Sequence, residues 1–235
     1  CNVNAKNQMI QLDNLDYLKL SRLLLTTCHR KFSPTDFAKA AELVEKFTFR
    51  VFGVMNKKTD THKTYLVKAA SSVYHGRDLA YVNAVICFLL HRPGTGAPMS
   101  SVIARLGNGD IKYTWETGGW DRCFYFLYEF ETRVGGGAYA WIVQTPTQKA
   151  SMEHILPQNN DGGYWDAEWP DELEFEKHKH RLGNLVLTRD TVSNGHLGQK
   201  SIHDKIDDPM GGYDYTNGTN SEGQIHTHAD AFGNR

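Results

Sequence analysis

Six polar residues between positions 153 and 205 are of types that can hydrolyse a phosphodiester bond. A carboxylate and an imidazole are adjacent at Glu153 and His154. Amides and ammonium groups follow at intervals, at Asn184, Asn194, Lys200 and Lys205. Hydrolysis of this bond needs a base that deprotonates water and hard oxygen ligands that hold a divalent cation at the phosphate. The types and order of these residues therefore indicate a candidate hydrolytic site.

Apolar stretches around these residues predict the elements that carry them. Residues 151–155 predict a strand, residues 184–189 a second strand, and residues 190–206 a helix that can break at Gly195 or Gly198. Neighbouring side chains on a strand point to opposite faces, so Glu153 and His154 need a local distortion of the chain to reach one site. The expected order is strand, long loop, strand, helix.

The motif Glu-His-Ile-Leu-Pro-Gln at 153–158, followed by Gly-Asn-Leu-Val-Leu-Thr at 183–188, resembles the HNH, or His-Me finger (ββα-metal), nuclease superfamily. Within it, the segment is most similar to the nuclease domain of GmrS/GmrD-type modification-dependent restriction enzymes and related phosphorothioate-sensing anti-phage nickases. The resemblance implies an α+β fold, with a mostly helical N-terminal half packed on a C-terminal ββα-metal (HNH) module.

The resemblance also implies roles for the catalytic residues. His154 would be the general base, because a neutral imidazole can accept a proton from water at physiological pH. Asn184 would brace the loop or orient this base. Lys200 and Lys205 would bind the scissile phosphate or stabilise the charge that develops on it.

Glu153 and Asn194 match the positions that hold the metal ion in the resembled family. Oxygen ligands favour Mg²⁺, with Mn²⁺ as an alternative. Two other interpretations stay open: Glu153 could orient His154 or hold the loop, and Asn194 with Gly195 could simply form a turn.

Charge is unevenly distributed along the 235 residues, although the net charge is only −1. Residues 1–150 hold 19 Lys and Arg against 12 Asp and Glu, whereas residues 151–235 hold 7 against 15. This distribution is consistent with a basic part that holds DNA and an acidic, cation-binding part that cuts it. The acidic run at 166–176 is equally typical of a solvated loop and helix surface.

Helical periodicity predicts a mostly helical first half. Ser33 is a good N-cap for a helix with Pro34 in its first turn. Other helices are expected at about 8–30, 61–75, 78–91, 100–106 and 118–133.

Three parts are therefore predicted. Residues 1–140 form a helical scaffold that holds DNA, residues 145–210 the HNH nuclease module, and residues 211–235 an irregular C-terminal tail. In the loop before the second strand, Trp165 and Trp169 either contact bases or anchor the loop.

The four cysteines are widely spaced and form no Cys-x-x-Cys pair, which is typical of reduced thiols in a cytoplasmic protein. The sequence has no run of eighteen apolar residues, so we expect no membrane insertion. Because it begins at Cys1 rather than Met, we interpret it as the effector part of a longer protein whose sensor or NTP-hydrolysing domain is missing.

The resemblance implies a metal-dependent DNA endonuclease or nickase of a bacterial restriction or anti-phage system, with modified phage DNA among its substrates. One module cuts one strand, so a monomer would nick and a dimer could break both strands. Two alternatives stay open: a non-catalytic DNA-binding or assembly module on the same scaffold, and an RNA-directed nuclease.

Overall fold

Helices dominate the part of the chain that the structure describes, and a two-stranded sheet accompanies them there, in agreement with the α+β class predicted from the sequence. The computed structural model describes residues 6, 9, 12, 13, 18–107, 120–134, 152–159, 163–188 and 195–231. The chain divides into two compact units, Cys1–Asp110 and Ile111–Arg235.

The first unit is helical in the part that the structure describes. Side chains cap two of its helices: Ser33 accepts a hydrogen bond from the backbone N–H of Asp36, and Asp78 from that of Tyr81. The helices are α1 (Leu18–Lys31), α2 (Pro34–Thr48), a π-helical turn (Phe49–Val54), α3 (Lys63–Tyr74), α4 (Leu79–Leu90) and α5 (Met99–Gly107).

Apolar faces hold this unit together. Helix α1 packs on α3, and α2 packs on α4. The buried side chains between them include Leu24, Val44, Phe47, Leu66 and Ile86. Burial of apolar side chains of this size is the main favourable contribution to the unit's folding free energy.

The second unit begins with a long helix and continues with short elements. In the part that the structure describes they are α6 (Trp120–Val134), β1 (Met152–His154), α7 (Tyr164–Glu168), α8 (Glu172–His178), a 3₁₀ turn (Leu182–Asn184), β2 (Leu185–Leu187), α9 (Ile202–Ile206) and α10 (Asn220–Ala231). Helix α6, which the sequence assigns to the scaffold ending at residue 140, belongs to this unit.

The two strands lie where the sequence predicts them. They pair antiparallel, with Met152 opposite Leu187, Glu153 opposite Val186 and His154 opposite Leu185. One face of this ribbon packs on α6. The buried residues of that cluster are Cys123, Phe124, Leu127, Met152, Leu185 and Leu187. The helix thus supplies the apolar cover that an isolated two-stranded ribbon needs to be stable.

The helix predicted at 190–206 is divided in the structure. Residues 195–197 make a helical turn, and α9 begins only at Ile202. Between them Gly198 has a φ of 42°, in the left-handed region that favours glycine.

The C-terminal segment differs from the irregular tail predicted at 211–235, because it contains α10. The carboxylate of Glu131 on α6 accepts hydrogen bonds from the backbone N–H groups of Asn220 and Ser221, which satisfies the first turn of that helix. Thr219 donates to the carbonyl of Leu187 on β2. These polar contacts are long-range, so the local composition gives no sign of them.

None of the helices among the described residues has the length and apolar character needed to cross a membrane.

Candidate active site

His154 is the last residue of β1 and lies at the wall of a small cleft. The cleft has a volume of about 190 Å³. Glu153 lines the same cleft, so both residues of the predicted pair contribute to its wall. The other lining residues are Met152, Pro157, Gln158, Asn159, Gly198 and Gln199.

The imidazole of His154 is held in the neutral form. Its side chain is buried, with only 5% of its surface exposed. Burial lowers the pKa of His154 to about 3, and the nearby His180, Lys205 and Lys179 act in the same direction. The His180 ring lies roughly perpendicular to the His154 ring, with 5.8 Å between centroids. A neutral imidazole is the form that can accept a proton.

Lys205 lies beneath Glu153 and His154 and is fully buried. Its Nζ donates to Glu153 Oε1 at 2.5 Å, to the carbonyl of His154 at 2.8 Å and to that of Ile155 at 3.1 Å. An ammonium has three protons, so these three acceptors use all of its donor capacity. Lys205 therefore fixes the end of β1 in the position that presents His154 to the cleft.

Burial shifts both members of this ion pair toward their neutral forms. It raises the pKa of the Glu153 carboxyl, whereas the charge and hydrogen bond of Lys205 oppose that rise. It lowers the pKa of Lys205, whereas the charge and hydrogen bond of Glu153 oppose that decrease. The pair therefore depends on close contact, since either charge alone would be costly in this interior.

Asn184 braces the loop that follows His154. Its side-chain oxygen accepts from the N–H of Leu156 at 2.7 Å, and its amide donates to the carbonyls of Leu156 and Lys179, each at 2.8 Å. Its backbone carbonyl also accepts from the N–H of Ile155 at 3.0 Å. The side chain is thus engaged with the backbone on both sides of the loop, and it ties β2 to the residues next to His154.

Lys200 belongs to a separate polar cluster with His196 and Asp208. The Nζ of Lys200 lies 3.0 Å from Asp208 Oδ2 and 2.8 Å from His196 Nε2, and His196 Nε2 lies 2.8 Å from the same carboxylate oxygen. The Asp208 side chain is 3% exposed and that of Lys200 is 27% exposed. Hydrogen bonds from His196 and Lys200 hold the pKa of Asp208 well below its usual range.

Backbone groups shape this cluster. Asp208 also accepts from the N–H groups of Met210 and Gly212. Gly212 approaches so closely that a Cβ there would lie 1.9 Å from His196 Nε2. The turn at 208–212 therefore fixes the positions of His196 and Lys200.

The donor types at the cleft fit a hard cation in part. Glu153 offers a carboxylate beside His154, and its Oε1 is already bonded to Lys205. Asn194, the second predicted ligand, lies outside the described residues. Within the described ranges no three His, Cys, Asp or Glu side chains gather as a metal site.

Several residues of the site were not singled out from the sequence. Gln199 lines the cleft, and Asp208 holds Lys200. Glu222 and Tyr215 are fully buried; the charge of Glu222 raises the pKa of Glu153, and the charges of Glu153 and Glu222 raise the pKa of Tyr215. Of these residues, only Gln199 could be inferred from the sequence, because it is next to Lys200. The positions of the others are set by tertiary contacts.

Comparison with known proteins gives one family. Neither a curated protein nor a solved structure matches the chain. Residues 100–215 match the family model described as GmrSD restriction endonucleases, C-terminal domain. This range contains α6, both strands, the cleft and Lys205. The match supports a GmrSD-type restriction nuclease family for this chain.

Proposed function

We propose that this chain is a metal-dependent DNA endonuclease that nicks DNA as part of a bacterial restriction or anti-phage system. The family match over residues 100–215 supports a nuclease of a restriction system. The observation that carries the catalytic proposal is the position of a buried, neutral His154 beside Glu153 in one cleft.

In this proposal His154 removes a proton from the water that attacks the phosphorus. A base works best when its pKa is near the working pH, and the pKa of about 3 that burial gives His154 is far below it. A bound phosphodiester carries a negative charge, which favours the imidazolium and raises the pKa of His154. Substrate binding thus makes His154 a better base at the moment when the proton must be taken.

Asn184 and Lys205 act as positioning residues in the proposed mechanism. Asn184 holds the loop after His154 through Leu156, and Lys205 holds the carbonyls of His154 and Ile155. With the carbonyl of His154 and the loop after it fixed, the imidazole keeps one orientation toward the cleft. Such preorganisation lowers the reorganisation cost of the chemical step.

The metal ion would be held by Glu153 and Asn194, and Mg²⁺ is the proposed ion, with Mn²⁺ as a substitute. When bound, it would stabilise negative charge on the phosphate and the leaving oxygen. Lys200 is the more exposed of the two lysines and is the proposed phosphate contact. Asp208 and His196 would orient its ammonium.

The proposal is tested with supercoiled plasmid and with RNA of matching sequence, each incubated with Mg²⁺, with Mn²⁺ and with EDTA. We expect conversion of the plasmid to open circles with either metal and none with EDTA, and no cutting of the RNA. A gel shift without cutting would favour the non-catalytic DNA-binding module instead. Cutting of RNA alone would favour the RNA-directed nuclease.

A further inference from the structure

A second, larger cavity adjoins the catalytic cleft. It has a volume of about 590 Å³ and shares Gln158 and Asn159 with the cleft. Its other lining residues come from α7, α8 and their surroundings, namely Asp166, Trp169, Pro170, Glu172, Phe175, Glu176 and Lys179. Because the cavity and the cleft share Gln158 and Asn159, a group bound here would lie next to any phosphate bound in the cleft.

The cavity has an aromatic wall formed by Trp169 and Phe175, and Trp169 also packs on the buried cluster of Leu156, Trp165 and Phe175. Trp165, in the same loop, is buried and donates its indole N–H to the carbonyl of Lys200 at 3.0 Å, so it is the anchor. Trp169 is only half buried and packs on His178, with 5.2 Å between ring centroids. One part of the Trp169 indole thus contacts the protein, and the ring also lines the cavity.

The charges that line the cavity repel a phosphate group. They can accept hydrogen bonds from the polar edge of a nucleobase. Lys179, the basic residue among the described lining residues, already donates to Glu176 and to the carbonyl of Gln158. The carboxylates of Asp166 and Glu172 therefore leave the lining negative. Carboxylates accept hydrogen bonds from exocyclic amino groups of bases, and side-chain amides pair with adenine in a bidentate manner.

We propose that this cavity binds a nucleobase next to the scissile phosphate, with the base stacked on Trp169 and its polar edge bonded to Asn159 or Gln158 and to the carboxylates. Bases with an exocyclic amino group, adenine, cytosine and guanine, are favoured over thymine, which has none. The nearby base would leave the helical stack to reach the cavity, as a base does in enzymes that carry out chemistry on it. This inference rests on the proposed function, because it assumes that the cleft holds a phosphodiester.

Free nucleosides test the cavity without engaging the phosphate site. Deoxyadenosine, deoxycytidine and thymidine are titrated into the chain by calorimetry, with the wild type, Trp169→Ala, Trp169→Phe and Leu173→Ala. Leu173 is an apolar residue of α8 that is 81% exposed and lies outside the cavity, so it serves as the matched control.

We expect deoxyadenosine and deoxycytidine to bind more tightly than thymidine. Loss of the stacking face in Trp169→Ala weakens binding about tenfold, in line with the measured worth of base–aromatic stacking. Trp169→Phe keeps an aromatic face and retains most of the binding, which separates stacking from a folding defect. Leu173→Ala binds as the wild type does.

Binding that is equal for all three nucleosides, or that survives in Trp169→Ala, would overturn the inference. Absence of binding to the wild type would overturn it as well. Failure of the proposed function looks different: nucleosides would still bind with the expected preference, while the plasmid would remain uncut.

Discussion

The ammonium of Lys205 donates to the carboxylate of Glu153 at 2.5 Å, and their side chains are 0% and 3% exposed. The two residues are 52 positions apart in the chain. Their contact joins α9 to the strand that ends in His154. The position of His154 in the candidate site therefore depends on a buried ion pair.

Lys205→Met should destabilise the protein by about 3–5 kcal/mol, because it leaves the Glu153 carboxylate buried without its partner. Chemical denaturation measures the loss. Adding Glu153→Gln should recover part of it, since removal of both charges is far less costly than removal of one. Lys46→Met is the control: Lys46 forms an exposed pair with Glu42, and its loss should change stability by less than about 0.5 kcal/mol. Equal effects of the two lysine changes would contradict the account.

Asn184→Ala should cost about 2–3 kcal/mol, since it leaves the backbone groups of Leu156 and Lys179 without their partner. The nicking rate should also fall at a temperature where the variant is still folded, because the loop after His154 loses its brace. Thermal melting and a plasmid assay on the same sample separate the two effects. Asn83→Ala, an exposed amide on α4, should change neither. Wild-type stability in Asn184→Ala would refute the bracing role.

Gly212→Ala should displace His196, because the new Cβ would lie 1.9 Å from His196 Nε2 and 2.4 Å from Asp208 Oδ2. We expect a reduced nicking rate, of the same order as that of Lys200→Met, since both changes disturb one polar cluster. Gly223→Ala is the matched control, because no atom lies within 4 Å of its Cβ and alanine favours the helix α10 by about 0.5–1 kcal/mol. A Gly212→Ala variant with full activity would show that the His196–Lys200–Asp208 cluster has no part in cutting.

Local sequence signals predicted the parts of the fold that depend on neighbours in the chain. The strands at 152–154 and 185–187 lie within the predicted ranges, and Ser33 caps α2 as its sequence indicated. The helix of 49–54 is a π-helical turn, which no periodicity argument distinguishes from the end of an α-helix.

Long-range polar contacts could not be predicted in the same way. Lysine is usually exposed, so nothing in the sequence marks Lys205 as fully buried. Glu131 and Glu222 look like ordinary surface acids, yet both are fully buried. Their positions follow only from the packing of α10 on α6 and β2.

Glu222→Gln should change how stability depends on pH. Burial raises the pKa of Glu222 from 4.5 to about 7, although Thr219 and Tyr213 donate hydrogen bonds to it. Between those two values the folded state therefore binds a proton that the unfolded state has released, so the wild type loses stability as pH rises from about 4.5 to 7. Relative to the wild type, Glu222→Gln should gain stability through this window and then stay level above it. Urea unfolding at a series of pH values measures the difference, and a constant difference would contradict the prediction.

The most direct test of the central claim is the nicking of supercoiled plasmid by His154→Ala. His75→Ala, which removes an exposed histidine of the first unit, is the control, and melting curves confirm that both variants are folded. We predict that His75→Ala converts the plasmid to open circles with Mg²⁺ as the wild type does. His154→Ala should be slower by at least about 100-fold, the usual loss when a general base is removed. Wild-type nicking by a folded His154→Ala variant would contradict the assignment of His154 as the base.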